Sequence, residues 1–241
     1  MLCGNPNIEA SKPPELVATS PYNRTMLTRV VSFLTLTLGL LAQSRLAPPM
    51  VFVILGPPGS GKSTQSRLLG KNYKIPPIDL TRLVQTEMGK KSPLAQALKV
   101  SLASGDLIDD DAANELMKTR VLQQDAGRGF ILDGYPRTEA QAKFLDAVLK
   151  DNGLPSPKVI LLESPDEPLR KRLLKRHQAD DSPQVIEQRL AEYREDSKFL
   201  TAWYKAENVM RVDATQSVEQ VAAQIDALIA DALAKKAFST R

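Results

Sequence analysis

Four short apolar runs stand out along the chain, at residues 51–55, 130–132, 159–162 and 209–212. Apolar runs of this length read as strands buried on both faces, which is how strands sit in a parallel sheet covered by helices. The stretches between them space their apolar positions as helices do, so the βα alternation predicts an α/β fold built on an open parallel sheet. Ser182-Pro183 predicts an N-cap with proline at the first helical position, opening a charged amphipathic helix to about residue 207. A last helix is expected over 218–234, with Val221, Ile225, Leu228 and Ile229 on one side. Pro76-Pro77 and the pair Pro155 and Pro157 read as loop markers, and no internal repeat is evident.

The first of these runs opens directly into chemistry. Residues 51–64 read VFVILGPPGSGKST, a strand followed at once by GxxxxGKS and a helical pattern. Gly56, Gly59 and Gly61 let the backbone fold into a nest of N–H groups around a polyphosphate. Lys62 adds a point charge at the β- and γ-phosphates, and the Ser63 hydroxyl can reach Mg²⁺. A helix starting near Ser60 aims its positive dipole end at the same anion. A glycine-rich turn without function leaves the lysine unexplained.

Composition narrows the field by exclusion. One cysteine and one histidine in 241 residues rule out a Cys/His zinc site and a disulfide framework, and fit a reducing compartment. The net charge is +4, but Lys12, Arg24, Arg29 and Arg45 against Glu9 and Glu15 place half of it before residue 50. The remainder is only mildly basic, and five tyrosines and one tryptophan without interleaved basic clusters form no stacking platform, so no nucleic-acid partner is expected.

Residues 1–49 differ in character from the rest of the chain, being rich in Pro, Ser, Thr and Asn. Their apolar stretch over 30–42, VVSFLTLTLGLLA, is shorter than the about 20 residues of a stable membrane span. An over-extended start, a targeting segment and an ordered extension are all open readings of this part. A cytoplasmic location is expected, or an organellar one if the segment is a transit peptide. Secretion is disfavoured, since export would separate an ATP-using enzyme from its ATP.

A second motif selects the family. About seventy residues beyond the P-loop, the run FILDGYPRT over 130–138 ends a strand in Asp133, where a P-loop enzyme holds Mg²⁺ or its waters. Arg137, just past that strand, would face the crevice where ligands bind in open α/β sheets. GPPGSGKST and DGYPR together closely resemble the adenylate kinase family of nucleoside monophosphate kinases. The resemblance runs from about residue 50 to 234 and continues through the segments 75–82, 105–108 and 172–176, Asp180-Asp181, Arg189 and the segment 212–214.

The resemblance implies a P-loop NTPase three-layer fold over 50–241. It also implies a helical monophosphate-binding insertion over about 79–110 and a lid over about 172–183. Only three residues separate Arg176 from Asp180, so the lid is of the short form, without a zinc-binding element. The implied reaction is reversible transfer of the γ-phosphoryl group of Mg·ATP to AMP, by a monomer. The implied roles place Gly59, Ser60, Gly61, Lys62, Ser63, Thr64, Arg172 and Gln216 at ATP, with Ser63 and Asp133 at the metal. The acceptor would meet Pro77, Arg82, Asp106, Leu107, Ile108, Gly134, Tyr135, Pro136, Arg137, Gln141, Gln178 and Arg189. Lys62, Asp133, Arg137, Arg176 and Arg189 would carry the chemistry. Arginine suits the task because its planar fork clamps phosphate bidentately.

Plain structural roles compete with some of these assignments. RKRLLKR over 170–176 also reads as a solvated basic helix face, and Arg82 as a surface cation. Thr138 to Gln141 is a capping box as well as the place of the family's adenine-reading glutamine. Asp133 could cap a turn, and His177 reads as an exposed lid residue.

Three departures from the family pattern stand out. Ser63 replaces a glycine and adds a hydroxyl near the metal. Pro77-Ile78 replaces Thr-Gly beside the acceptor base, which bears on base selectivity. Gln178 replaces a lid arginine, from which a working but slower enzyme is expected. These departures keep two other readings open: a related kinase for UMP, CMP or a small alcohol, and a nucleotide-binding protein with impaired catalysis.

Overall fold

The computed structural model describes residues 48–103, 108–176 and 182–239. Five strands form one parallel sheet: β1 (Met50–Leu55), β2 (Pro77–Asp79), β3 (Gly129–Asp133), β4 (Lys158–Glu163) and β5 (Val209–Asp213), in the order β2-β3-β1-β4-β5. Eight helices are described around it: α1 (Lys62–Tyr73), α2 (Leu80–Met88), α3 (Pro93–Ala103), α4 (Asp110–Val121), α5 (Glu139–Asp151), α6 (Asp166–Arg176), α7 (Pro183–Trp203) and α8 (Val218–Ser239).

The alternation of side chains along each strand builds two cores from one sheet. Val51, Val53 and Leu55 join Phe130, Leu132, Val159 and Leu161 on one face, closed by Val84 of α2, Met117 of α4, Leu145 of α5 and Leu200 of α7. Phe52 and Ile54 join Ile131, Ile160 and Leu162 on the other, closed by Leu69 of α1 and by Val221, Ile225 and Ile229 of α8. Both faces of β1, β3 and β4 are covered, which is why those strands read as apolar runs, whereas β5 at the sheet edge keeps Arg211 and Asp213 exposed. A third, smaller core sits between α6 and α7, where Leu169 and Leu173 meet Ile186 and Leu190.

Four of the five strands match the apolar runs, and β2 is the exception. It is three residues long, begins with a proline, and pairs only with β3, at the sheet edge. Proline has no N–H for a ladder and is tolerated where no partner needs one, so a real edge strand looks like a loop. Its Ile78 is buried in the core at 2 % exposure, while Pro77 is exposed.

Helix ends follow the capping signals. The Ser182 hydroxyl accepts from the Val185 N–H at 3.4 Å, with Pro183 opening α7. That helix stops at Trp203 rather than near 207, and a single turn at Ala206–Asn208 leads into β5. The last helix starts at Val218 as expected and continues past 234 to Ser239. α1 begins at Lys62, two residues beyond Ser60, because Gly61 adopts a left-handed conformation (φ +93°) as its N-cap. Among the described residues, no helix is long and apolar enough to cross a membrane.

Candidate active site

The sheet order places β1 between the strands that follow it on either side, and the loop after β1 lies at this topological switch point, where open α/β sheets bind ligands. Gly59 (φ +80°) and Gly61 (φ +93°) turn the chain from strand to helix through conformations that L side chains avoid. Ser60 N–H donates to Pro57 O at 3.1 Å, and the N–H groups of Thr64 and Gln65 both donate to Gly61 O at 3.0 Å. The amides of Lys62 and Ser63, at the very start of α1, have no helical acceptor. The buried Ser60 hydroxyl has no hydrogen-bond partner. Unpaired donors around a positive helix end form a seat for an anion.

Lys62 arches back over this seat. Its ammonium donates to Gly56 O at 2.6 Å and to Pro57 O at 3.0 Å, leaving one proton of three for a ligand. Burial is the main reason its pKa falls from 10.5 to about 8; the charges of Arg137 and Arg176 push the same way, and Asp133 opposes them. Three of the other residues expected to carry chemistry, Asp133, Arg137 and Arg176, therefore act on the Lys62 charge. Arg176, the last residue of α6, is exposed, and Arg189 is half-buried on α7.

Asp133 ends β3, in register with Ile54 of β1 on one side and with Asp79 of β2 on the other. Only 5 % of it is exposed, and burial raises its carboxyl above the ordinary range. A hydrogen bond from the Ser63 hydroxyl, Lys62 and Arg137 counteract this, while the neighbouring Asp79 adds to it. A buried carboxylate beside a hydroxyl offers two oxygen donors of the kind Mg²⁺ takes. The residues present fit the metal that the sequence implies.

Beyond Asp133 the chain turns sharply. Gly134 takes φ +77°, the Tyr135–Pro136 peptide is cis, and both Tyr135 and Pro136 are buried. Arg137 stays exposed, its Nε donating to Gly134 O at 2.9 Å. Tyr135 points into the core, where its hydroxyl donates to Asn114 Oδ1 at 2.6 Å and also lies 3.2 Å from Gln141 O. Thr138 caps α5 by accepting from Gln141 N–H at 3.2 Å. The Gln141 side chain accepts from Arg137 N–H at 2.7 Å, one residue before the cap rather than at it, and donates to Asp110 Oδ1 at 2.8 Å.

The remaining candidates divide between two edges of the site. Arg172 donates from its two terminal nitrogens to Ala214 O at 2.7 Å and to Thr215 O at 3.1 Å, tying α6 to the loop after β5. Gln216 in that loop donates to Asp213 Oδ2 at 3.2 Å. On the other edge, exposed Arg82 lies in the first turn of α2, capped by Asp79 Oδ1 at 3.2 Å from its N–H. Ile108 is half-buried against the core, whereas Asp106, Leu107 and Gln178 lie outside the described residues, as does the segment 1–47. Asp79 and Asp110 are the two residues of this neighbourhood that sequence reasoning misses. Asp79 is hidden at the end of a strand that reads as a loop, and Asp110 in a run of three aspartates.

Comparisons with known proteins identify the family. The family model described as adenylate kinase matches residues 54–209. The chain is 34 % identical over 194 residues to an adenylate kinase of Chelativorans sp. (strain BNC1), covering 76 % of this chain and 100 % of that protein. An adenylate kinase of Leuconostoc mesenteroides is 39 % identical over 158 residues, covering 66 % of this chain and 84 % of that one. One from Micrococcus luteus is 38 % identical over 174 residues, covering 70 % and 85 %. The matched region takes in the P-loop lysine, the Asp133 strand end and the arginines of α6 and α7, and the chain belongs to the adenylate kinase family.

Proposed function

We propose that the chain catalyses reversible transfer of the γ-phosphoryl group of Mg·ATP to AMP, giving two ADP. The observation that carries this reading is the P-loop turn at Gly59 and Gly61, with Lys62 folded back over it and Asp133 buried at the end of the adjoining strand. An oxygen of the AMP phosphate forms the new bond to the γ-phosphorus as the bond to the β-bridging oxygen breaks, and ADP leaves. The attacking oxygen is already largely deprotonated at neutral pH, so no side chain has to remove a proton. What the reaction needs is alignment and positive charge around a transferring group with little covalent help.

The residues divide this work. The P-loop amides and Lys62 hold the β- and γ-phosphates, and Arg172 with the loop at Gln216 seats the ATP base. Arg82 and Arg137 clamp the acceptor phosphate, Gln141 meets the acceptor base, and Arg176 and Arg189 bridge the transferring group. Ser63 and Asp133 would hold Mg²⁺ directly or through water; when bound, the ion neutralises charge across the β- and γ-phosphates. The insertion over 79–110 and the lid over 172–183 would close on the two nucleotides and exclude water, which otherwise turns a transferase into an ATPase. Ile78 is buried in the core, so of the Pro77-Ile78 departure only the exposed proline can bear on the acceptor crevice. The reading is tested by following ADP formation from Mg·ATP and AMP. Lys62→Met should abolish it while the protein melts as before, and retained activity in that variant would overturn the P-loop assignment.

A further inference from the structure

We propose that Asp110 is a positioning residue for acceptor selectivity, locking the side-chain amide of Gln141 in the orientation that distinguishes a 6-amino from a 6-oxo purine. The proposal rests on the reading that Gln141 meets the acceptor base.

Gln141 is 4 % exposed, and its side-chain amide is held at both ends. Its nitrogen donates to Asp110 Oδ1 at 2.8 Å, and its oxygen accepts from Arg137 N–H at 2.7 Å. A carboxylate can only accept and a backbone N–H can only donate, so the two partners together fix which end is nitrogen and which is oxygen. Turning the amide over would set oxygen against carboxylate and NH₂ against N–H, losing both bonds in a buried place. Asp110 is itself fixed, because its other oxygen accepts from the Thr138 hydroxyl at 2.8 Å.

The lock has a chemical consequence. An amide oxygen has two lone pairs and an amide nitrogen two hydrogens, and one of each is used by Arg137 and Asp110. The remaining pair presents one donor and one acceptor in a set order. Adenine offers an acceptor at N1 and a donor at its 6-amino group, and a 6-oxo purine offers the reverse. A free amide could serve either base by flipping; a locked one serves only one. Asp110 need not touch the substrate to impose this choice.

Asp110→Asn tests the idea with little change of shape. The asparagine can donate as well as accept, so it pairs with either orientation of Gln141 and leaves the Arg137 N–H as the single group opposing a flip. Wild-type protein should prefer AMP to IMP in kcat/KM, and Asp110→Asn should lower that preference about tenfold, with a gain for IMP, at an unchanged melting temperature. A merely structural staple between α4 and α5 would instead lower both substrates together, and that result would overturn the proposal. An unchanged preference in Asp110→Asn, or none in the wild type, would do the same. Gln141→Ala separates the proposal from its premise. If it erases the preference while Asp110→Asn keeps it, only the lock is wrong; if it leaves the preference intact, Gln141 does not read the base and both ideas fall.

Discussion

Gly59 of the P-loop lies directly against Leu173 of α6: a Cβ placed on the glycine would stand 3.0 Å from the leucine Cγ and 3.2 Å from Leu169 O. The loop proposed to grip phosphate therefore rests on α6, which ends at Arg176. Gly59→Ala would incur both crowding and a left-handed backbone, the latter alone about 1–2 kcal/mol. Melting should fall by several degrees, on the order of 2–4 °C per kcal/mol at this size, with a raised KM for ATP. Gly61 is the control, since it shares the left-handed conformation (φ +93°) but has nothing within 4 Å of its added Cβ. Gly61→Ala should lose less in a thermal melt; an equal loss would show that contact with α6 contributes nothing.

Arg172 ties α6 to the loop after β5, the edge proposed to seat ATP, through the carbonyls of Ala214 and Thr215. Lysine keeps the charge but cannot span two carbonyls with a rigid fork. Arg172→Lys should raise the KM for ATP about tenfold, the expected loss of one charge-assisted hydrogen bond, and leave the KM for AMP nearly unchanged. Steady-state kinetics with each nucleotide varied in turn checks this, and an equal rise in both constants would contradict it.

On the proposed function, ATP binding should be linked to proton uptake at Lys62. Its ammonium titrates at about 8 in the free protein, and a bound polyphosphate favours the charged form. At a pH near 8, about half of the free molecules hold Lys62 neutral, so binding should take up about half a proton, falling toward zero by about pH 6. Calorimetry in two buffers of different ionisation enthalpy measures this uptake, and Lys62→Met should abolish it. The same shift has a stability sign. The folded value lies below the unfolded 10.5, so holding the charge in the fold is costly below about pH 8. From this group alone, the free protein gains stability as pH rises from about 8 to 10.5.

Legibility in the sequence depends on where the information is local. The β1 run, the P-loop, the Ser182 and Thr138 caps and the strand ending in Asp133 are each written in a few consecutive residues, and each is found where expected. β2 is not legible because Pro76-Pro77 suits an edge strand and a loop equally, and only pairing with β3 decides between them. Asp110 is not legible because it stands between Asp109 and Asp111. Asp109 caps α4 through Ala112 N–H at 2.7 Å, whereas Asp110 meets Thr138 and Gln141 across the fold. Tyr135 is legible as part of a motif but not as a core residue, since nothing local says that its hydroxyl pairs with Asn114 on α4.

Transfer to AMP is put to the test by incubating the purified protein with Mg·ATP and each of AMP, CMP, UMP, GMP and dTMP, and following diphosphate formation. Rapid conversion of AMP and much slower conversion of the others is expected. Preference for another monophosphate, or binding of ATP without turnover of any, would contradict the assignment.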